Sequence, residues 1–466
     1  MRRAGFVVLF LVLLPAVTTR LYASDEIQFF AWLRSWAFDR DINFDNEYRH
    51  FNATGRYRGF AETFLADERV TEIGRRPNFT PIGSAILWAP FYAAGHAVAI
   101  ATGAPRDGYS KPYIAAVAYG SAYYGFMAAL ISGAIAVRIV GRGTGATLAV
   151  WFGTPLVFYM YIAPGFGHAT SAFAVALFVW TWLQVRDSWS PAGAIALGAT
   201  GALMAMVREQ DAFLIAGPAI DFLRTATLHR LQLLKPEPRP TTQLTRVGVT
   251  AIAGAASFLV CYAPQLAAYK ALNGHYGQTY LVTRKMNWAA PHFFDVLISR
   301  EYGLFFWTPL VVIALAGLIV LALRRVPAQY RDAAWIGALA LVMFALQVYT
   351  SGSVESWTVA GSFGQRRFVA TTPLLVLGLA AIFVAADRWA AIARWGLGVL
   401  VALCVWWNAG LMAQFGLNTM DRQRLTLAEN ARETFITLPI HAPALAWRYL
   451  TNRSSFYQLP LRDRAR

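Results

Sequence analysis

The chain has 466 residues, of which 57% are hydrophobic and 14% charged, and it carries a formal net charge of +16. A mean hydropathy of +0.42 excludes a soluble multidomain enzyme and indicates an all-α polytopic membrane protein. The positive excess sits in short arginine clusters between apolar runs, which argues for topology and against a nucleic-acid partner. Cys261 and Cys404 both lie inside such runs, which excludes a disulfide framework and a Cys-based metal site.

In chain order, Met1-Arg2-Arg3 is followed by an uncharged stretch from Ala4 to Thr19. It suits an uncleaved signal anchor crossing about 30 Å of hydrocarbon, with the arginines holding its start in the cytoplasm. The acidic pair Asp25-Glu26 then falls on the far side, heading a polar stretch that runs to Thr80. Charge at a membrane surface marks a function or an anchor. Phe29, Phe30, Trp32, Leu33 and Trp36 follow at helical spacing. They predict an amphipathic helix lying in the interface, with the acidic pair in its first turn, where the helix dipole favours carboxylates. From Asp39 to Arg76 the chain is polar and rich in arginine and aromatics, with Gly55, Gly59 and Gly74 as breakers, and is read as a cap over the acceptor side.

Apolar runs recur at 4–20, 82–102, 113–137, 145–163, 170–185, 191–206, 210–223, 247–268, 303–323, 333–349, 368–386 and 395–415. Arg138 and Arg142, Arg186, the basic loop 224–246, Arg324, Arg325 and Arg331, and Arg388 and Arg394 are the expected cytoplasmic clusters. They all fall inside only if one early run does not cross. Segment 82–102, interrupted by Pro90 and His96, is assigned that role as a juxtamembrane or re-entrant helix. The alternative has 82–102 crossing and 191–223 forming one long helix. The preferred topology gives about eleven spanning helices in a single domain over 1–466, with a long first outer loop at 21–111 carrying juxtamembrane helices. The other outer segments are Ala163–Thr170, Arg208–Asp211, 269–302 and 350–367. Proline-rich 235–240 is a cytoplasmic linker, and the polar tail 418–466 is too polar to span and ends outside. The Arg-over-Lys, Ala-rich usage suits a GC-rich bacterial genome, and hence a multi-pass protein of the bacterial inner membrane.

A first helix ending in an acidic pair, a long outer loop, the helix-starting Pro77-Asn-Phe-Thr-Pro81-Ile-Gly and many short-looped helices together resemble the polytopic C-type glycosyltransferase superfamily. That superfamily includes the protein O-mannosyltransferases and the lipid A aminoarabinose transferases. Ser299-Arg-Glu-Tyr-Gly303-Leu-Phe and Ser362-Phe-Gly-Gln-Arg366-Arg367-Phe are similar to recurring segments of its bacterial members. The resemblance implies transfer of a sugar from a polyprenyl-phosphate carrier to a glycan, lipid or protein acceptor on the outer face, with an acidic residue of the first outer loop at the centre. Many relatives place an acidic residue in the second outer loop, where this chain has Gly167-His168. The metal ligands are therefore left unassigned, and a divalent ion stays open as cofactor.

The chemistry asks for the same residue types. Glycosyl transfer to a hydroxyl needs a base for the acceptor proton, a role given to Asp25 or Glu26. The departing lipid phosphate needs positive charge, and a guanidinium binds its oxygens in bidentate fashion and stays protonated. Arg366 and Arg367 at a helix start supply it, with His168 and Arg300 completing the substrate-binding set. The plainer readings are a solvated acidic turn, snorkelling arginines, a helix-end histidine, internal pairing within Arg208-Glu-Gln-Asp211, and belt aromatics at Trp288, Trp307 and Trp357. The rival function is a transporter or flippase of a lipid-linked or anionic solute, which would place ionisable residues midway along its helices.

Overall fold

The computed structural model describes residues 3–21, 23–54, 61–232 and 241–456. Tyr22, Gly55, Gly59, the linker 235–240 and the tail beyond 456 lie outside the described residues. The described residues are helical without a strand, apart from an isolated antiparallel bridge between Met286 and Val354. Among them, seven helices are long and apolar enough to cross a membrane, and the shorter apolar helices Ala4–Ala16, Pro191–Val207 and Leu310–Ala322 accompany them. The chain is thus an all-α, multi-pass membrane protein.

Helix α1 (Arg3–Leu13) ends where Pro15 enters a 3-10 turn, since proline has no N–H to continue the ladder. Helix α2 (Ser24–Arg34) starts with a one-sided cap: the Ala23 N–H donates to Glu26 Oε2 at 3.1 Å. The expected helix with Asp25 and Glu26 in its first turn is present. Its aromatic face does not meet lipid as an interfacial helix's would, because every residue from Glu26 to Leu33 is buried in protein. Its aromatic face is covered by α4 (Gly83–Thr102), with Phe29 edge-on to Trp88 and Phe30 edge-on to Tyr92. Its other flank meets α3 (Asp45–Ala53), through Phe30 against Phe51.

Helix α4 runs antiparallel to the first half of α5 (Lys111–Val140). Tyr124 donates to the Leu87 carbonyl near one end, and Gly95 sits against Pro112 and Tyr113 near the other. The second half of α5 packs on α6 (Thr144–Gly153) and α8 (His168–Val185). The run 145–163 is not one helix: α6 breaks at Thr154-Pro155, and α7 (Leu156–Tyr161) resumes it. Nor do residues 191–223 form one helix. Helix α9 (Pro191–Val207) ends at Arg208, a 3-10 segment follows at Glu209–Ile215, and α10 (Ala216–Gln232) starts beyond it.

Helix α11 (Thr241–Asn273) packs closely along α9, and α12 (Leu310–Ala322) along α14 (Thr372–Ala386), with α13 (Ala333–Gly352) beside α12. Both tight pairs meet at glycine. A Cβ on Gly198 would overlap the Gly254 carbonyl, and Gly317 and Gly378 stand in the same relation to each other's helices. In a bilayer, where lipid tails are as apolar as side chains, such close backbone approach is what drives helix association. Helix α15 (Ala391–Leu417) follows, then a helical stretch from Leu427 that ends as α16 (Leu438–Thr451).

The bundle has two chemically different ends. At one, Arg138 meets Asp187 at 3.5 Å, Arg142 meets Asp387 at 3.1 Å, and Arg186 meets Asp221 at 2.8 Å. These arginines, from the 138–142 cluster and from the end of α8, share one end of the bundle. The connections 163–170 and 356–367 meet α2 at the opposite end, and 208–211 joins them through Arg208 and His168.

Candidate functional site

The first turn of α2 carries two carboxylates with different surroundings. Glu26 is fully buried: Oε1 accepts from the Gly165 N–H at 3.2 Å, and Oε2 caps its own helix. Asp25 faces the other way, where its Oδ2 accepts from Arg366 Nη1 at 2.7 Å, across 341 residues of sequence. The Asp25 side chain remains 36% exposed and that of Arg366 15%.

The loop that receives Glu26 is built for close approach. A Cβ on Gly165 would press against Glu26 Oε1, and Gly167 adopts a φ of +70°, which favours glycine. Between them Phe166 lies under Arg366, whose guanidinium carbon is 5.1 Å from the ring centroid. A desolvated cation over a ring is held by the ring quadrupole. His168, the first residue of α8, stacks with Phe166 and meets the edge of Tyr159 at 4.5 Å.

Arg208 Nη1 donates to His168 Nδ1 at 2.7 Å, so His168 serves there as an acceptor. Asp211 accepts from Ser171 Oγ at 2.6 Å, and Glu209 accepts from Tyr262, Tyr269 and Gln278. The expected internal pairing of the 208–211 segment is therefore confined to Arg208 with Gln210 at 3.2 Å; the charged groups are dispersed to other helices. Arg367 is buried and donates from both Nη atoms to the Ser356 carbonyl at 3.1 Å, while its own carbonyl accepts from Gln347. Arg208, Arg366 and Arg367 are near enough to repel one another.

Asp25, Glu26, His168, Arg366 and Arg367 thus converge. Arg300 does not: it is exposed, its carbonyl accepts from Leu425, and among the described residues no contact ties its side chain to the cluster. Of the belt aromatics, Trp288 is exposed, whereas Trp307 is buried and donates to the Glu301 carbonyl. Arg208, expected from the sequence to pair internally, joins the cluster instead, as does Phe166, which the sequence did not single out. The signal for Phe166 was its place between two glycines; the partner of Arg208 lies forty residues earlier and has no local signature.

Among the described residues no group of three or more His, Cys, Asp or Glu side chains gathers to hold a metal ion. The positive charge of the cluster comes from guanidinium groups. Neither a protein-family model nor a curated protein matches the chain.

Proposed function

We propose that the protein is an integral membrane glycosyltransferase that moves a sugar from a polyprenyl-phosphate carrier to an acceptor at the outer face of the bacterial inner membrane. The observation that carries this reading is the contact between Asp25 and Arg366, a carboxylate and a guanidinium brought together where the apolar helices end. In this reading Asp25 takes the acceptor hydroxyl proton as the acceptor oxygen bonds to the anomeric carbon. The bond from that carbon to the phosphate oxygen breaks, and the phosphate leaves with the electron pair. Arg366 turns from Asp25 to the phosphate, and Arg208 and Arg367 add to the field that stabilises the developing charge. Glu26, capped and buried, positions Asp25 by fixing the first turn of α2 to Gly165.

The topology that suits this reading has about eleven crossings, with α4 outside the membrane against the outer half of α5. A reporter fused after Arg142 should read cytoplasmic, and one after Thr350 periplasmic. Transport is the weaker reading because the cluster stands at helix ends, at the start of α8 and the end of α9, rather than midway along them. The deciding experiment measures sugar release by purified protein from a panel of polyprenyl-phosphate hexoses labelled in the sugar. Release that disappears in Asp25→Asn, in protein that still folds, is the expected result. Movement of the intact donor across a proteoliposome bilayer without release would replace the reading with transport.

A further inference from the structure

We infer that the helical stretch from Leu427 to Thr451 is an in-plane strap, whose outward stripe of Ile436, Ile440, Trp447 and Leu450 is embedded in the outer-leaflet interface of the bilayer. This goes beyond the proposed catalytic reading and does not depend on it.

The inward face of the strap is fixed at both ends. Near its start, Gln414 of α15 donates to the Asn430 carbonyl and to Thr434 Oγ1, and Trp406 donates to the Thr434 carbonyl. Gly410 leaves no room for a Cβ beside the Thr434 side chain, which packs directly on the backbone of α15. Beyond its end, Arg453 donates to the carbonyls of Pro15, Ala16 and Val17, where the ladder of α1 stops. These are carbonyls that a helix terminus leaves without partners on its own ladder. The strap therefore bridges the flank of α15 and the outer end of α1.

The outward face is apolar and uncovered. Ile436 is 57% exposed, Ile440 69%, Trp447 68% and Leu450 79%, at helical spacings that keep them on one side. Between Glu433 and Arg448 the only ionisable side chain is His441. The helices it joins are themselves apolar and exposed: Val399, Leu400 and Leu403 on α15, and Val8, Leu11 and Val12 on α1. α15 is one of the helices long and apolar enough to cross, so the stripe continues a surface whose occupant is lipid. A tryptophan and long aliphatic side chains on one face, with Asn430 and Thr434 turned to protein, are the chemistry of an interfacial helix.

The experiment places single cysteines at Ile436→Cys, Ile440→Cys and Trp447→Cys in a Cys261→Ser, Cys404→Ala background, with Glu429→Cys as the water-facing control. Each is labelled with a fluorophore in proteoliposomes. Phospholipids carrying a nitroxide near the headgroup should remove most of the emission at 436, 440 and 447, and iodide should quench only the label at 429. Iodide quenching at all positions, or no quenching by either agent at 436, 440 and 447, overturns the inference; the second result would mean that protein covers the stripe. The unmutated chain gives an independent reading. Photoactivatable phospholipids should leave adducts on the peptide 436–450, and adducts confined to α1 and α15 peptides would also overturn it.

Discussion

The two ends of the bundle use the same residue types to opposite effect. At the end of Arg186, charge is neutralised in place: Asp221 accepts from Arg186, from Trp182 Nε1 and from Trp335 Nε1, and the ion pair is almost fully buried. At the end of Arg366, one carboxylate is half turned to the exterior, and two of the three neighbouring arginines bind a histidine or a carbonyl instead of an acid. A satisfied buried pair fixes helices. Guanidinium groups that rest on neutral acceptors keep capacity for an incoming anion, because exchanging a neutral acceptor for a phosphate strengthens their hydrogen bonds.

The comparison breaks most visibly at Asp25. Asp25→Asn should lower turnover by about 10²–10⁴ with folding intact, as loss of a general base commonly does. Near-normal sugar transfer by that variant would remove Asp25 from the chemistry. Asp221→Ala should behave in the opposite way. It removes the nearest counter-charge of buried Arg186 and leaves only Asp332 at 3.9 Å and Asp187 at 4.0 Å, so a loss of stability approaching about 3–5 kcal/mol is expected, read as a fall in the thermal midpoint of the detergent-solubilised protein. If Asp221→Ala is as stable as the parent, that end is not locked.

A smaller effect tests the arginine over Phe166. Arg366→Ala should cost more than about tenfold in donor affinity or turnover, from the loss of a charge-assisted hydrogen bond, and Arg366→Lys should recover part of it. Binding of a labelled polyprenyl phosphate to purified variants checks this; equal affinity in parent, Lys and Ala proteins would leave Arg366 as a structural partner of Asp25 alone. The smallest effect concerns α3. There burial pushes the Glu47 carboxyl up to about 7, against the opposing pull of Arg34. An acid whose folded value is raised binds protons that the unfolded chain has released, so stability falls as pH rises from the ordinary carboxylate range through about 7. Hydrogen exchange in α3 should therefore quicken across that window, and Glu47→Gln should flatten the dependence.

Much of this polarity is legible in the chain. The acidic pair after the first apolar run, Arg366-Arg367 before another, and the clusters at Arg138, Arg142 and Arg186 are local signals tied to membrane crossings. What stays hidden depends on contacts at long range. Which member of the acidic pair turns inward is decided by Gly165, 139 residues away, whose missing Cβ admits Glu26. The burial of α2 is hidden for the same reason: its aromatic spacing is identical for a lipid face and for a face covered by α4. The break at Arg208 is legible, because the charges of Arg208–Asp211 separate two apolar runs, but its pairing with His168 is not.

The Arg186–Asp221 pair also bears on how the protein is made. Arg186 ends α8 and Asp221 lies within α10, so 35 residues separate the two partners as they leave the ribosome. Until α10 arrives, Arg186 at the end of α8 lacks its nearest counter-charge, and α10 alone would carry Asp221 without its arginine. Helices α8, α9 and α10 are therefore expected to leave the insertion machinery as one group, with the salt bridge formed during biogenesis.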